Sequence, residues 1–322
     1  MINNGYIYSD RVQKRDKGVS VADFYSRRYP HSSEETWRRR IQAGQIFLTG
    51  KLASPEDRLM IDDVLDYHRP PWEEPDVPRD FRVLFEDANV FVLDKPSGLP
   101  VLPGGGYLDN TLLHLVRRSF DPGCSPLHRL GRATSGAILF TRNANAARFL
   151  SSAMAERRIR KVYLALAAGT DLPETFTVDA PIGPVPYRPL TTVHAYSPNG
   201  RPSISHVRVL RRFPRENATL IEVTIPTGRP HQIRIHLSRA GFPLVGDPLY
   251  QAGGLPRPDD PSGPGGRDDE YAALPGDSGY FLHSWKIRFP SPDGGEDVEV
   301  ACPPPPLLDP LRPRSTPPAS AP

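Results

Sequence analysis

Apolar and polar positions alternate with a period of two along much of the chain. In "RKVYLALAAG", Arg160 to Gly169, Val162, Leu164 and Leu166 share one face while Lys161, Tyr163 and Ala165 share the other, which predicts a strand. "FRVLFEDANVFVLDK" reads as strand, turn and strand, "HVRVLRRF" and "TLIEVTI" as a hairpin pair, and "GYFLHSWKIRF" as a further strand. Helical spacing is rarer. Asn143 to Ile159 predicts a helix capped by Asn143, with Phe149, Leu150, Ala153 and Met154 on its buried side. "TGRPHQIRIHLSRAG" predicts another, with Pro230 in its first turn and Gly241 as its stop. Many strands with few helices between them argue for an α+β fold built on a mixed, mainly antiparallel sheet, not a doubly wound one.

The front of the chain has a different rhythm. Ser20 and Asp23 form a capping-box pattern ahead of Val21, Phe24 and Tyr25, and Ser32 and Glu35 form another ahead of Trp37 and Ile41. Two short strands, "GQIFLTGK" and "DDVLDY", follow. Arg38, Arg39 and Arg40 fall on the second helix and are expected to point mostly to solvent. Two helices, a strand pair and arginines on the second helix resemble the S4 RNA-binding module, which sets residues 1–68 apart as a small α/β unit. The alternative is a small capping unit with a charged face. Pro70, Pro71, Pro75 and Pro78 make 69–80 a stiff, extended linker. Residues 81–302 then form the main domain, with a Gly, Pro and Asp-rich insertion loop at 251–278. The tail, 303–322, is expected to be disordered.

Charge changes this picture only by its distribution. The 322 residues carry 40 Lys+Arg against 37 Asp+Glu, a net +3. Residues 1–50 hold nine Lys/Arg and five Asp/Glu, whereas 251–300 hold four and ten. A basic front suits a polyanionic partner, although ordinary solvated surface would look the same. Two isolated cysteines, Cys124 and Cys302, make neither a disulfide framework nor a zinc site and fit a reducing cytosol. The N-terminal stretch lacks the apolar core of a secretory signal, and no run of 18 apolar residues exists. A cytoplasmic monomer without membrane contact is the expectation.

Standard catalytic motifs are mostly missing. "PGGGY" lacks the Lys-Ser/Thr of a phosphate loop, and there is no G-x-S-x-G elbow. His231 and His236 are five apart, so a helix turns them to different faces and a metal pair is not expected. The segment "PLHRLGRATSGAILF", Pro126 to Phe140, brings a basic pair, His128 and Arg129, to a flexible loop that runs into an apolar strand. Thr134 and Ser135 are expected to order that loop by bonding to its backbone, and Gly136 to sit where a Cβ would crowd the next strand. Arg229 and His231, at the expected first turn of a helix, suit an anion.

Four segments in order, "VFVLDKPSGLPV", "LHRLGRATSG", "RKVYLALAAG" and "TGRPHQIRIHLSRAGFPLVGDPLY", resemble the RluA-type RNA pseudouridine synthases. The resemblance covers about residues 81–302, and the S4-like front matches members of that family. It implies a cofactor-free isomerisation of a uridine flipped out of structured RNA, ribosomal or transfer. It also implies residue roles. Tyr163 would pack on the uracil and help move the C5 proton, Arg129 would take the place of the flipped base, and Arg234 would pair with the nucleophile's carboxylate. His128, Thr134, Arg229, His231 and Arg38 to Arg40 would help hold the RNA. The family nucleophile, an aspartate, falls on Gly131. Glycine at this position, "GDSGY" and "HRPPWEEP" resemble a subset of the family. A glycine cannot attack carbon, and it would leave Arg234 short of a counter-charge, for which Asp94 and Asp121 are the nearest candidates in sequence. Tyr163 and Arg129 also have plain structural readings. Three functions therefore remain open: a synthase with a substitute nucleophile, an RNA-binding protein that has lost the chemistry, and a different reaction on a nucleoside or nucleotide.

Overall fold

A computed structural model of the chain describes residues 2–29, 32–187, 190–257 and 273–311. Most of the segment expected to be an insertion loop and most of the tail lie outside the described residues. The chain divides into two compact units, one running to Pro75 and including Thr191, the other from Asp76 to Tyr187 and from Thr192 onward.

The first unit carries β1 (Tyr6–Arg11), α1 (Val21–Arg28), α2 (Glu34–Gln42), β2 (Ile46–Leu48), β3 (Lys51–Leu52) and β4 (Val64–Arg69), with the sheet ordered β1-β4-β2-β3 and antiparallel throughout. Ser20 caps α1 as expected: its Oγ accepts from the Asp23 N–H at 3.1 Å and donates to the Asp23 carboxylate at 2.8 Å. The second cap falls one residue later than expected. Ser33, not Ser32, accepts from the Thr36 N–H, and Ser32 instead accepts from Arg40. Trp37 stacks on Tyr25 with ring centroids 4.7 Å apart, over a core that includes Ile41, Ile46 and Leu65.

The three arginines of α2, expected to point mostly to solvent, differ in their surroundings. Arg38 is ion-paired to both Glu34 and Glu56. Arg40 lies 4.4 Å over the Trp37 ring, a contact that contributes packing as well as charge. Arg39 alone is exposed. The proline-rich stretch also has partners within this unit. Asn3 donates to Glu74 at 2.6 Å, and Arg69 sits 3.5 Å over Trp72.

The second unit carries β5 (Arg82–Glu86), β6 (Val90–Lys95), α3 (Leu112–Ser119), β7 (Ser125–Pro126), β8 (Ser135–Thr141), α4 (Ala144–Ala155), β9 (Arg160–Ala168), β10 (Thr175–Asp179), β11 (Ile182–Tyr187), β12 (Thr191–Tyr196), β13 (Ile204–Phe213), β14 (Ala218–Thr224), α5 (Gln232–Arg239), β15 (Leu282–Phe289) and β16 (Val298–Ala301). Its main sheet runs β10-β13-β14-β9-β15-β8-β6-β5, with β16 on β15 and β7 on β8. Every pairing in it is antiparallel except that of β15 with β8. The fold is thus α+β and mainly antiparallel, as the alternation predicts.

Both faces of β9 are buried. Tyr163 and Ala165 join a core with Leu130, Ile138 and Val223, while Leu164 and Leu166 join another with Leu220 and Leu308. The period of two therefore sorts residues between two cores, not between core and water. Helix α4 is capped by Asn143 as expected but stops at Ala155, because Arg157 adopts a left-handed φ of +60° and turns the chain into β9. Helix α5 likewise starts later than the sequence suggests. Pro230 lies before it, His231 is its N-cap at φ +55°, and the Gln232 side chain accepts from the Arg229 N–H and the Thr227 hydroxyl. Arg229 and His231 thus stand in the turn before α5, not in its first turn. No helix among the described residues is long and apolar enough to cross a membrane.

Candidate active site

A cleft of about 630 Å³ lies where β9, β12, the loop entering β8 and the turn before α5 meet. That volume is in the range of small-ligand sites. Of the residues singled out in the sequence, His128, Arg129, Gly131, Tyr163, Arg229 and His231 all line it. Thr134 and Arg234 stand behind the wall, and Arg38, Arg39 and Arg40 belong to the other compact unit. Among the described residues lining the cleft there is no Asp or Glu.

The loop that carries Gly131 is held from β6. The buried Lys95 ammonium donates to the carbonyls of Pro96, Leu99 and Arg132 at 2.8, 2.6 and 3.1 Å. Ser97 donates to the Ala133 carbonyl, and the Gly98 N–H donates to that of Arg132. A turn from the Thr134 N–H to the Gly131 carbonyl closes the loop. These donors take the loop's carbonyls, so the Thr134 and Ser135 hydroxyls do not bond to its backbone as expected. Their hydroxyls look across to β15 and the segment that enters it instead, Thr134 to Tyr280 Oη at 3.4 Å and Ser135 to His283 Nδ1 at 2.9 Å. Gly136 does sit at the expected crowded point. Its φ is +106°, and a Cβ there would lie 2.3 Å from the Ser284 carbonyl oxygen.

Arg234 has a permanent counter-charge, and neither sequence candidate supplies it. Asp94 is taken by Arg82, and Asp121 accepts from the Gly123 N–H. The partner is Asp247, which receives Arg234 Nε and one terminal nitrogen at 2.7 Å each, with both side chains almost wholly buried. The N–H groups of Leu249 and Tyr250 also donate to Asp247 Oδ1. The guanidinium lies between two rings, 4.2 Å from the centroid of Tyr280 and 5.0 Å from that of Tyr250. Hydrogen bonding to Asp247 and the surrounding oxygens keep it charged in spite of burial. Its remaining nitrogen donates to the Pro275 carbonyl, and Arg132 donates to that of Gly276. The last residues of the stretch expected to be an insertion thus border the site.

Gly131 itself is not in a left-handed conformation. A Cβ built on it would meet Tyr280 Oη at 3.0 Å and Thr134 Oγ1 at 3.3 Å. The space in which a longer side chain would stand is occupied by a phenol.

The other groups divide by chemistry. Tyr163 is buried, and desolvation lifts its hydroxyl to about 12 although the Ser284 side chain pulls the other way, so it is a neutral phenol at physiological pH. His128 Nε2 accepts from the Leu139 N–H, and burial, with Lys161 nearby, keeps its imidazole neutral. Tyr250 donates its one proton to the His194 carbonyl, so His231 Nδ1, 2.8 Å from the same oxygen, carries a hydrogen and Nε2 the lone pair. Lys161, read in the sequence only as a strand residue, lines the cleft with its ammonium pulled down to about 8 by burial. Arg129 is exposed on the rim. The Arg229 Nε is buried with no hydrogen-bond partner among the described residues. Cations, a tyrosine and neutral histidines, with no carboxylate among the described lining residues, suit a planar base on an anionic chain. No cluster of His, Cys, Asp or Glu that could hold a metal occurs among the described residues.

Comparison with known proteins agrees with this geometry. The sequence profile described as RNA pseudouridylate synthase matches residues 89–239. The chain is 41% identical over 289 residues to an uncharacterized RNA pseudouridine synthase of Synechocystis sp., covering 89% of this chain and 95% of that one. It is 36% identical to RNA pseudouridine synthase 5 of Arabidopsis thaliana, covering 95% of each. Among solved structures, human RNA pseudouridylate synthase domain containing 1 superposes with a TM-score of 0.55 at 27% identity, covering 74% of this chain and 89% of that one.

Proposed function

We infer, from the premise that the chain belongs to the RNA pseudouridylate synthase family, that its cleft takes a uridine flipped out of structured RNA and isomerises it to pseudouridine. The observation that carries this reading is the juxtaposition of a buried neutral tyrosine, Tyr163, with Arg129, Lys161 and Arg229 in one cleft. A flipped base needs a flat partner, and its flanking phosphates need cations. Tyr163 stacks on the uracil. Arg129, exposed on the rim, fills the gap left in the RNA, and the Arg229 guanidinium, which lines the cleft, meets a phosphate. A neutral phenol at Tyr163 is a poor base, so its part is packing and hydrogen bonding. The isomerisation needs no cofactor, since the atoms of substrate and product are the same. The same reading makes the protein a cytoplasmic monomer, in which Cys124 and Cys302 stay reduced.

One observation favours a second reading, an RNA-binding protein that keeps the fold without the chemistry: no carboxylate lines the cleft among the described residues. Tritium release from RNA labelled at uridine C5, together with pseudouridine mapping of RNA with and without the protein, separates the two. Release by wild type, with Tyr163→Leu slower by about 10- to 100-fold as lost base stacking requires, supports isomerisation. A silent wild type that still binds RNA supports the second reading.

The first compact unit supplies general RNA affinity in this proposal. Arg38 and Arg39 are the residues to test, because removing Arg40 would also remove its packing on Trp37. Arg38→Gln with Arg39→Gln should weaken binding to all RNAs alike, and should flatten the plot of log affinity against log salt by about one to two units. An unchanged slope in a filter-binding titration would remove these arginines from the interface.

A further inference from the structure

We propose that the hydroxyl of Tyr280 is the nucleophile of this site, standing where the resemblance places a carboxylate on residue 131. The proposal rests on the isomerase reading above and supplies what that reading lacks.

Four observations converge on it. No Asp or Glu among the described residues lines the cleft, and Tyr280 stands behind Gly131, which does. The buried carboxylate of Asp247 is already engaged, with Arg234, Leu249 and Tyr250 donating to its two oxygens. Gly131 lines the cleft, and the direction its Cβ would take leads to Tyr280 Oη at 3.0 Å. The only side-chain hydrogen bond to that oxygen among the described residues is the long 3.4 Å approach of Thr134, and the Arg234 guanidinium lies 4.2 Å from the ring centroid. A cation over the ring stabilises charge that develops on the phenol oxygen. Glycine at 131 is then the complement of this arrangement, because a side chain there would crowd the hydroxyl. Tyrosine oxygen is a known attacking group at the anomeric carbon of sugars.

The reaction balances without a further reagent. Tyr280 Oη attacks C1′ of the uridine as the C1′–N1 bond breaks, and the hydroxyl proton passes to N1 of the departing uracil. The uracil turns on Tyr163 until C5 faces C1′. The C5–C1′ bond forms as the bond from C1′ to the tyrosine oxygen breaks, and that oxygen keeps the electron pair. It then takes the proton from C5. The phenol is restored, and the product keeps at N1 the proton that the phenol gave up.

Tyr280→Phe keeps the ring under Arg234 and removes only the oxygen, and Gly131→Asp with Tyr280→Phe returns a carboxylate to the vacated space. With C5-tritiated uridine in total RNA as substrate, wild type should release tritium. Tyr280→Phe should lose at least about 100-fold in kcat with little change in KM, and the double variant should recover at least about tenfold over Tyr280→Phe. Melting temperature and RNA affinity should stay near wild type in both. A Tyr280→Phe protein as active as wild type overturns the proposal and leaves the isomerase reading standing. Loss of activity that the double variant fails to recover also overturns it, since the phenol's part is then structural. A wild type silent on all RNA removes the isomerase reading itself.

Discussion

Asp247→Ala should lower the stability of the second compact unit by about 3–5 kcal/mol, the cost typical of stripping one partner from a buried ion pair. Arg234 cannot shed its charge, and here it cannot reach water. Its partner's two oxygens accept two guanidinium nitrogens and two backbone N–H groups, so alanine would orphan four donors at once. In a thermal melt the loss corresponds to a drop on the order of 10 °C. Replacing both partners together, Asp247→Leu with Arg234→Met, should cost less than Asp247→Ala alone, because no lone charge remains. A loss below about 1 kcal/mol for Asp247→Ala in a denaturant titration would mean that the pair is hydrated and that Arg234 is held by its two rings.

Gly136→Val should cost about 4 kcal/mol or more, against about 1 kcal/mol or less for Gly131→Ala. The two glycines are five residues apart in one loop and strand, but they meet different obstacles. At Gly136 a side chain would meet the Ser284 carbonyl oxygen at 2.3 Å and nitrogen at 2.7 Å, on a backbone already at φ +106°. The obstacle is the main chain of the one parallel partner, which cannot step aside without losing the pairing of β8 with β15. At Gly131 the obstacle is the far end of a tyrosine side chain, which can move by a few tenths of an ångström. Equal melting temperatures for the two variants would show that the β8–β15 contact is looser than this.

Local signals carried most of the fold. Ser20 and Asn143 cap their helices because a cap is a contact over three residues, and the alternation in β9, β13 and β14 reports side chains packed on a pleated surface. Ser33 in place of Ser32 and the late start of α5 show where local signals compete. Two serines offered a cap and one fitted, and the Gln232 side chain made a turn that a helix pattern does not contain. Strand β1 was not foreseen because four of its first residues are exposed and show no alternation. Helix α3 escaped notice although Thr111 caps it.

At the site, the cleft-lining residues were legible because they sit in motifs. Asp247 was not singled out although it lies in a quoted segment, "FPLVGDPLY", since nothing local distinguishes a buried aspartate from a turn residue. Tyr280 and Lys95 were missed for the same reason. The contacts that tie them to the Gly131 loop, Thr134 for Tyr280 and the Arg132 carbonyl for Lys95, are supplied by the fold, not by neighbours in sequence.

The contact between Thr134 and Tyr280 spans 146 residues, and that between Ser135 and His283 spans 148. The site is therefore completed only late in synthesis. When the loop of Gly131 leaves the ribosome, the strand that completes it has yet to be made, and β8 has only β6 and β7 for neighbours. Closure of such long-range pairs is slow and leaves apolar strand edges open meanwhile. A nascent chain halted before Leu282 would hold every cationic residue of the cleft but not β15, whose Ser284 carbonyl and nitrogen pack against Gly136.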